Sequence, residues 1–198
     1  MKKLISLILM FAMYSGFAQR GKAKMLPVLE KGYYINTRND TVWGKVQTNP
    51  EDPTDLYKQF GFKNNRSKKP KMLNAQRAKA YGVGDKDYVS VELNGKKIFL
   101  QRLVTGRLNF YQYEYNGKIE GYAAIESDFY IKDTGADPSE ADLKELKKIS
   151  GLFYKRGLKP YFKDQPMIWS DLDKYNFDEV SVIAAVKEFN KFYSKTGN

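Results

Sequence analysis

The sequence predicts an α+β fold: an antiparallel β-meander or half-open barrel followed by C-terminal helices. Three observations carry this. Apolar and polar residues alternate from Tyr33 to about Lys132. Two Asn-Gly pairs, Asn94-Gly95 and Asn116-Gly117, interrupt alternating runs. After Asp133 the apolar spacing changes from two to three and four. Strands first and helices last is the order of an α+β chain.

The elements follow in order. Residues 1–18 form a signal peptide: Lys2 and Lys3 precede an uncharged run, Leu4 to Ala18, that ends in small residues at Gly16 and Ala18. The run is shorter than the roughly 20 residues a membrane-spanning helix needs. Cleavage after Ala18 leaves Gln19 at the new N-terminus, where a lipid-anchored protein would carry Cys. The mature chain is therefore expected to be soluble and periplasmic or secreted, with no transmembrane segment. Residues 19–31 are a polar, flexible lead-in, residues 32–133 an antiparallel β domain, and residues 134–198 a helical part packing on the sheet.

Within the β domain, Tyr33 to Ile35 and Thr41 to Val46 are strands around the turn formers Arg38, Asn39 and Asp40. Asn49 to Pro53 is a loop. Leu56 to Lys63 alternates as a strand does, Asn64 to Lys71 is a basic loop, and Ala78 to Val83 is extended. Val89, Val91 and Leu93 alternate up to Asn94-Gly95, and Ile98, Leu100 and Val104 follow. Both turn residues tolerate the positive φ of a type I′ hairpin. Leu108 to Tyr115 and Ile119 to Ile131 repeat the pattern about Asn116-Gly117.

In the helical part, Asp137 is an N-cap, Pro138 suits the first turn, and Leu143, Leu146, Ile149 and Phe153 make one helical face. Gly151 and Gly157 end that helix, and Pro160 to Pro166 is a connector. Asn176 or Asp178 caps a last helix with an apolar stripe of Val182, Val186, Phe189 and Tyr193.

Composition narrows the chemistry. The chain has no His and no Cys. That removes Ser-His-Asp and Cys-His catalysis, His-containing metal sites and disulfides. No cofactor and no metal site is expected. Fifteen Tyr and twelve Phe suit a β-rich body. The net charge is +11, and from Leu56 to Gly84 there are eight Lys or Arg and no Asp or Glu. Lys63, Arg66, Lys68, Lys69, Lys71 and Arg77 are the anion-binding candidates, for an anionic polysaccharide or another polyanion. The plainer account is a solvated loop, or lysines that protect a sheet edge. Tyr111, Tyr113 and Tyr115 share one face of a strand, as an aromatic platform for sugar rings or as a structural ladder. Glu126 with Asp128, and Asp171 with Asp173, are paired carboxylates. Two neighbours in one element make a poor hydrolytic pair, which is ordinarily drawn from two sides of a cleft. Asp171, Asp173 and Asp178 fail as a calcium loop, because Tyr175 and Asn176 stand where a ligand and Gly belong.

The segments GYYINTRNDTVWGKV (Gly32 to Val46), FLQRLVTGRLNFYQY (Phe99 to Tyr113) and YFKDQP before a Tyr-containing final helix resemble a group of exported Gram-negative bacterial proteins to which no activity is attached. The resemblance implies export, a β-rich body and a helical C-terminus, and implies no catalytic residue. The leading functional expectation is an exported, non-catalytic, envelope-associated binding protein with a basic surface. A carboxylate-dependent glycan hydrolase and an accessory subunit that binds an envelope protein are the alternatives.

Overall fold

A computed structural model describes residues 26–135, 145–149, 154–162, 165–174 and 178–196. The signal peptide, Asp137, Leu143 and Phe153 lie outside the described residues, as do Tyr175 and Asn176. Among the described residues, ten strands form one antiparallel sheet: β1 (Val28–Asn36), β2 (Thr41–Thr48), β3 (Gln59–Lys63), β4 (Lys71–Asn74), β5 (Ala78–Val83), β6 (Lys86–Leu93), β7 (Lys96–Val104), β8 (Leu108–Ile119), β9 (Tyr122–Asp133) and β10 (Lys147–Ile149). Their order is β10-β9-β8-β7-β6-β5-β1-β2-β3-β4. Among the described residues, a 3-10 turn, Pro53–Tyr57, and three helices, α1 (Tyr154–Phe162), α2 (Pro166–Lys174) and α3 (Glu179–Thr196), accompany the sheet. The expected α+β architecture, a curled half-barrel with C-terminal helices, is the one observed. Among the described residues no helix is long and apolar enough to cross a membrane.

The two faces of the sheet differ because every strand alternates. The inner face carries a registered row: Tyr34 opposite Tyr81, then Tyr88, Gln101, Gln112 and Phe129. Phe60 stacks on Tyr81 at 4.0 Å and Tyr81 on Tyr88 at 4.6 Å. The 3-10 turn closes over this row. Tyr57 meets Tyr88 and Tyr113 edge-on, each at 5.4 Å, and the Tyr81 hydroxyl donates to the Leu56 carbonyl at 2.5 Å. Asp52 starts the turn by accepting from the Thr54 N–H, which satisfies an otherwise free donor.

The helices cover the other end of the same inner face. Val104, Leu108, Phe110, Phe129 and Ile131 pack with Ile149 and with Tyr154, Leu158, Phe162, Leu172, Val182, Val186 and Phe189. The Asn190 amide acts as a strand partner, accepting from the Leu108 N–H and donating to its carbonyl, both at 2.8 Å. Asp178 caps α3 by accepting from the Ser181 and Val180 N–H groups.

Several expectations need correction. Val28 to Lys31, placed in the flexible lead-in, are paired strand. Leu56 to Lys63 is not one strand, because Asp52 and Pro53 wind its first residues into the 3-10 turn. Asn116-Gly117 is not a turn. The β8–β9 ladder continues past it to Ile119 opposite Tyr122, and the turn falls at Glu120-Gly121, whose φ values are +51° and +85°. That pair supplies the same type I′ geometry and leaves a longer ladder. Asn116 instead points its amide at Asp52 and Thr54. Ile149 is not in a helix: Lys147–Ile149 pairs with Phe129–Ile131 and closes the edge of β9. Gly157 and Pro160, expected to end or follow a helix, lie inside α1. Burial of Tyr154, Leu158 and Phe162 on one face of α1 outweighs the propensity cost of those two residues.

Candidate polyanion face and aromatic groove

The outer face of the sheet holds its own registered row. Trp43 lies opposite Tyr33, Tyr33 opposite Gly82, and Gly82 opposite Asp87. On the far side of β6 the row resumes with Arg102, Tyr111, Tyr130 and Lys148. Asp87 joins the two halves. Its Oδ1 accepts from the Tyr33 hydroxyl at 2.8 Å and its Oδ2 from Arg102 Nε at 2.8 Å. Burial, followed by the hydrogen bond and charge of Asp87, pushes the Tyr33 hydroxyl up to about 12. Gly82 is required here because the Tyr33 ring lies over it: a Cβ on Gly82 would sit 2.4 Å from the ring.

At the Arg102 end this row is covered. Leu100, Tyr111 and Tyr130 form a small core with Leu146 packed against it. Tyr111 is only 6% exposed, so the expected platform of Tyr111, Tyr113 and Tyr115 does not stand open to solvent. Tyr113 is half-buried and packs against both faces. It can do so because β7 and β8 pair only from Gln101 to Val104 and part beyond Gln112. Tyr115 stacks on Tyr113 at 5.9 Å and donates to Glu126 at 3.2 Å.

At the Trp43 end the row is open. Trp43 is 72% exposed, with its ring 5.3 Å from that of Tyr33. Beside them runs a groove of about 490 Å³, lined by Gly32, Gly44, Gly82 and Gly84 and by Lys31, Asp85, Lys86 and Asp87. Sequence reading placed Trp43 in a strand but had no means of seeing which face it occupies.

Next to the aromatic pair lies a second row that sequence reading also missed. Lys31 is opposite Lys45, and Lys45 is opposite Lys63. Lys31 is two residues before Tyr33, and Lys45 two after Trp43, so all share the outer face. Three like charges in direct cross-strand register repel one another. No ion pair among the described residues involves any of them.

Lys63 is the end of this row and the loop basic residues lie just beyond it, whereas Lys71 is opposite Phe62 and so belongs to the other face of the sheet. Lys63 ends β3, Lys71 begins β4, and Arg66, Lys68 and Lys69 lie exposed in the loop between. Arg77 is exposed in the turn at the opposite end of β4, so it is not part of that cluster. Lys79 donates to the Asn39 side chain at 2.7 Å. Because β4 is the last strand of the sheet, lysines here also deter edge pairing. That role explains Lys71. It does not explain Lys31 and Lys45, which lie on interior strands.

The carboxylate pairs are otherwise engaged. Asp128 is ion-paired with Lys148 at 2.6 Å. Glu126 accepts from the Lys118 N–H at 2.9 Å as well as from Tyr115. The side chains of Asp171 and Asp173 lie outside the described residues. A pair that sequence spacing does not reveal is Glu114 on β8 with Glu179 at the start of α3: burial, then the charges of Glu114 and Asp178, raises the Glu179 carboxyl. Glu114 also accepts from Gln112 Nε2 at 3.3 Å. Among the described residues no cluster of carboxylates gathers as a metal site.

No protein-family model, no curated protein and no solved structure matches this chain.

Proposed function

We propose that this is an exported, non-catalytic binding protein of the bacterial envelope, whose outer β face holds anionic polymers. The observation that carries the reading is the registered row Lys31–Lys45–Lys63, continued by Arg66, Lys68 and Lys69 at the end of the β3–β4 hairpin. Its cost in the free protein is mutual repulsion, and an anionic chain laid across the three strands removes that cost. A polymer suits the site better than a small anion, because the charges form a line and a surface rather than an enclosed cavity. Export is supported by Lys2 and Lys3 before an uncharged leader that ends at Ala18.

The test is retention on a heparin column. The wild-type chain is expected to elute well above physiological salt. The triple variant Lys31→Glu, Lys45→Glu, Lys63→Glu, checked for an unchanged circular dichroism spectrum, is expected to elute near the void at low salt. Equal retention of the two would remove the reading.

A second reading, glycan hydrolysis, draws on Glu114 and Glu179, which come from separate elements and interact. A carboxyl raised by burial and by a neighbouring carboxylate is the kind of group from which a general acid is drawn. If it operates, the chain releases reducing ends from a hexasaccharide and Glu114→Gln abolishes the release. Equal release by wild type and Glu114→Gln excludes this pair.

A further inference from the structure

We infer that the groove beside Trp43 is a sugar-ring subsite, and that the polymer held by the lysine row is an anionic polysaccharide built of hexopyranoses. This rests on the reading of the outer face as a polyanion site and names the chemistry of what lies there.

The argument begins with what the groove presents. Trp43 lines the groove and is 72% exposed. Its position is fixed from one side by Tyr33, whose hydroxyl is in turn tied to Asp87 and so to Arg102. An exposed indole held in place offers a flat apolar face at little ordering cost. The C–H face of a pyranose is the complementary surface, apolar on its plane and hydroxylated round its rim. Of the glycines lining the groove, Gly82 faces this side of the sheet, and the Tyr33 ring fills the space its missing side chain leaves, so indole and phenol rings form one continuous apolar surface. A flat ring can therefore lie against the indole with its edge over Tyr33. At about 490 Å³ the groove falls within the usual size range of ligand sites, about 300–1,000 Å³.

The rim chemistry selects among anionic polymers. Asp85, exposed in the β5–β6 turn, and Asp87 line the groove with Lys31 and Lys86. Carboxylates accept hydrogen bonds from sugar hydroxyls, while lysines donate to ring and acid oxygens. Asp85 repels a phosphodiester backbone, which carries a charge at every unit, while the charge of Asp87 is met by Arg102. A polysaccharide with acid groups on only some of its rings can place a neutral ring on Trp43 and an acid group on the adjacent Lys45–Lys63 row. A nucleic acid would also stack a base on Trp43, but only by bringing phosphates to Asp85.

The two components separate by experiment. Isothermal titration of the full chain uses four probes: long-chain polyphosphate (charge without rings), cellohexaose (rings without charge), hyaluronan hexasaccharide (both) and oligothymidylate. Trp43→Ala is expected to weaken the hyaluronan hexasaccharide by about tenfold. Trp43→Phe should retain most of the affinity, and polyphosphate binding should not change in either variant. The lysine triple variant should lose polyphosphate and the hyaluronan hexasaccharide together. Hyaluronan binding that is absent, or unaltered by Trp43→Ala, while polyphosphate still binds overturns the subsite and leaves the polyanion face standing. Cellohexaose binding that depends on Trp43, with no polyphosphate binding, keeps the subsite and removes the polyanion face. Oligothymidylate binding that is tighter than hyaluronan binding and depends on Trp43 replaces the saccharide with a single-stranded nucleic acid, and so overturns the assignment.

Discussion

Phe60→Ala is expected to lower the stability of the protein by about 3–5 kcal/mol. Phe60 is 1% exposed and stands at the centre of the inner face. It stacks on Tyr81 at 4.0 Å, meets Phe99 at 5.7 Å and approaches Tyr34 at 6.3 Å. The surrounding rings are anchored on β1, β5 and β7, so the space left by the lost ring cannot close. A loss of that size is a large share of the roughly 5–15 kcal/mol that typically holds a domain folded. The chain has no disulfide to fall back on. Urea unfolding followed by circular dichroism measures the change as a shift in midpoint at constant slope. A loss below about 1 kcal/mol would mean that the inner aromatic row is not the core.

Alkaline pH is expected to unfold the protein cooperatively, with ionisation of the buried tyrosines and loss of structure occurring together. Burial is the largest cause of a raised hydroxyl at Tyr33, Tyr57, Tyr81, Tyr88 and Tyr130. Tyr33 and Tyr130 are pushed up to about 12 from an ordinary 10.0, and Tyr57, Tyr81 and Tyr88 further still. The folded state therefore holds these protons more tightly than the unfolded chain does. Their contribution is fully present below about pH 10 and is lost as pH rises through the folded values. Because Tyr88 touches both Tyr57 and Tyr81, ionising it disturbs all three. On one pH series, the part of the tyrosinate absorbance that belongs to the buried rings should rise together with the loss of far-ultraviolet ellipticity, above about pH 10. Full tyrosine ionisation with the ellipticity retained would contradict the burial of this cluster.

Much of the fold was legible because local chemistry decided it. Asn94-Gly95 turns where expected, with φ values of +51° and +73°. Asp178 caps α3, and Val182, Val186 and Phe189 on its stripe are buried. What was not legible depends on partners distant in sequence. Asn116-Gly117 is as good a turn signal as Asn94-Gly95, yet β9 pairs straight past it. Lys147 to Ile149 reads as helix by spacing, and becomes strand because the edge of β9 is available to it. Tyr111 looks exposed from its strand pattern, and is covered by Leu146.

The site was half legible for the same reason. The charge run from Lys58 to Lys79 is visible in one dimension and proves to be a hairpin end and a sheet edge. The row Lys31–Lys45–Lys63 spans residues far apart in the chain and exists only once the register of β1, β2 and β3 is known. The Trp43 groove likewise needs β1, β2, β5 and β6 side by side, since its glycines come from three strands and a turn.

The salt dependence of polyphosphate binding tests the polyanion face most directly. Each lysine that neutralises a ligand charge displaces about one counterion, so the slope of log affinity against log salt counts such contacts. Replacing Lys31, Lys45 and Lys63 with Ser should flatten that slope by about three. A slope identical to wild type would show that the row touches no anion.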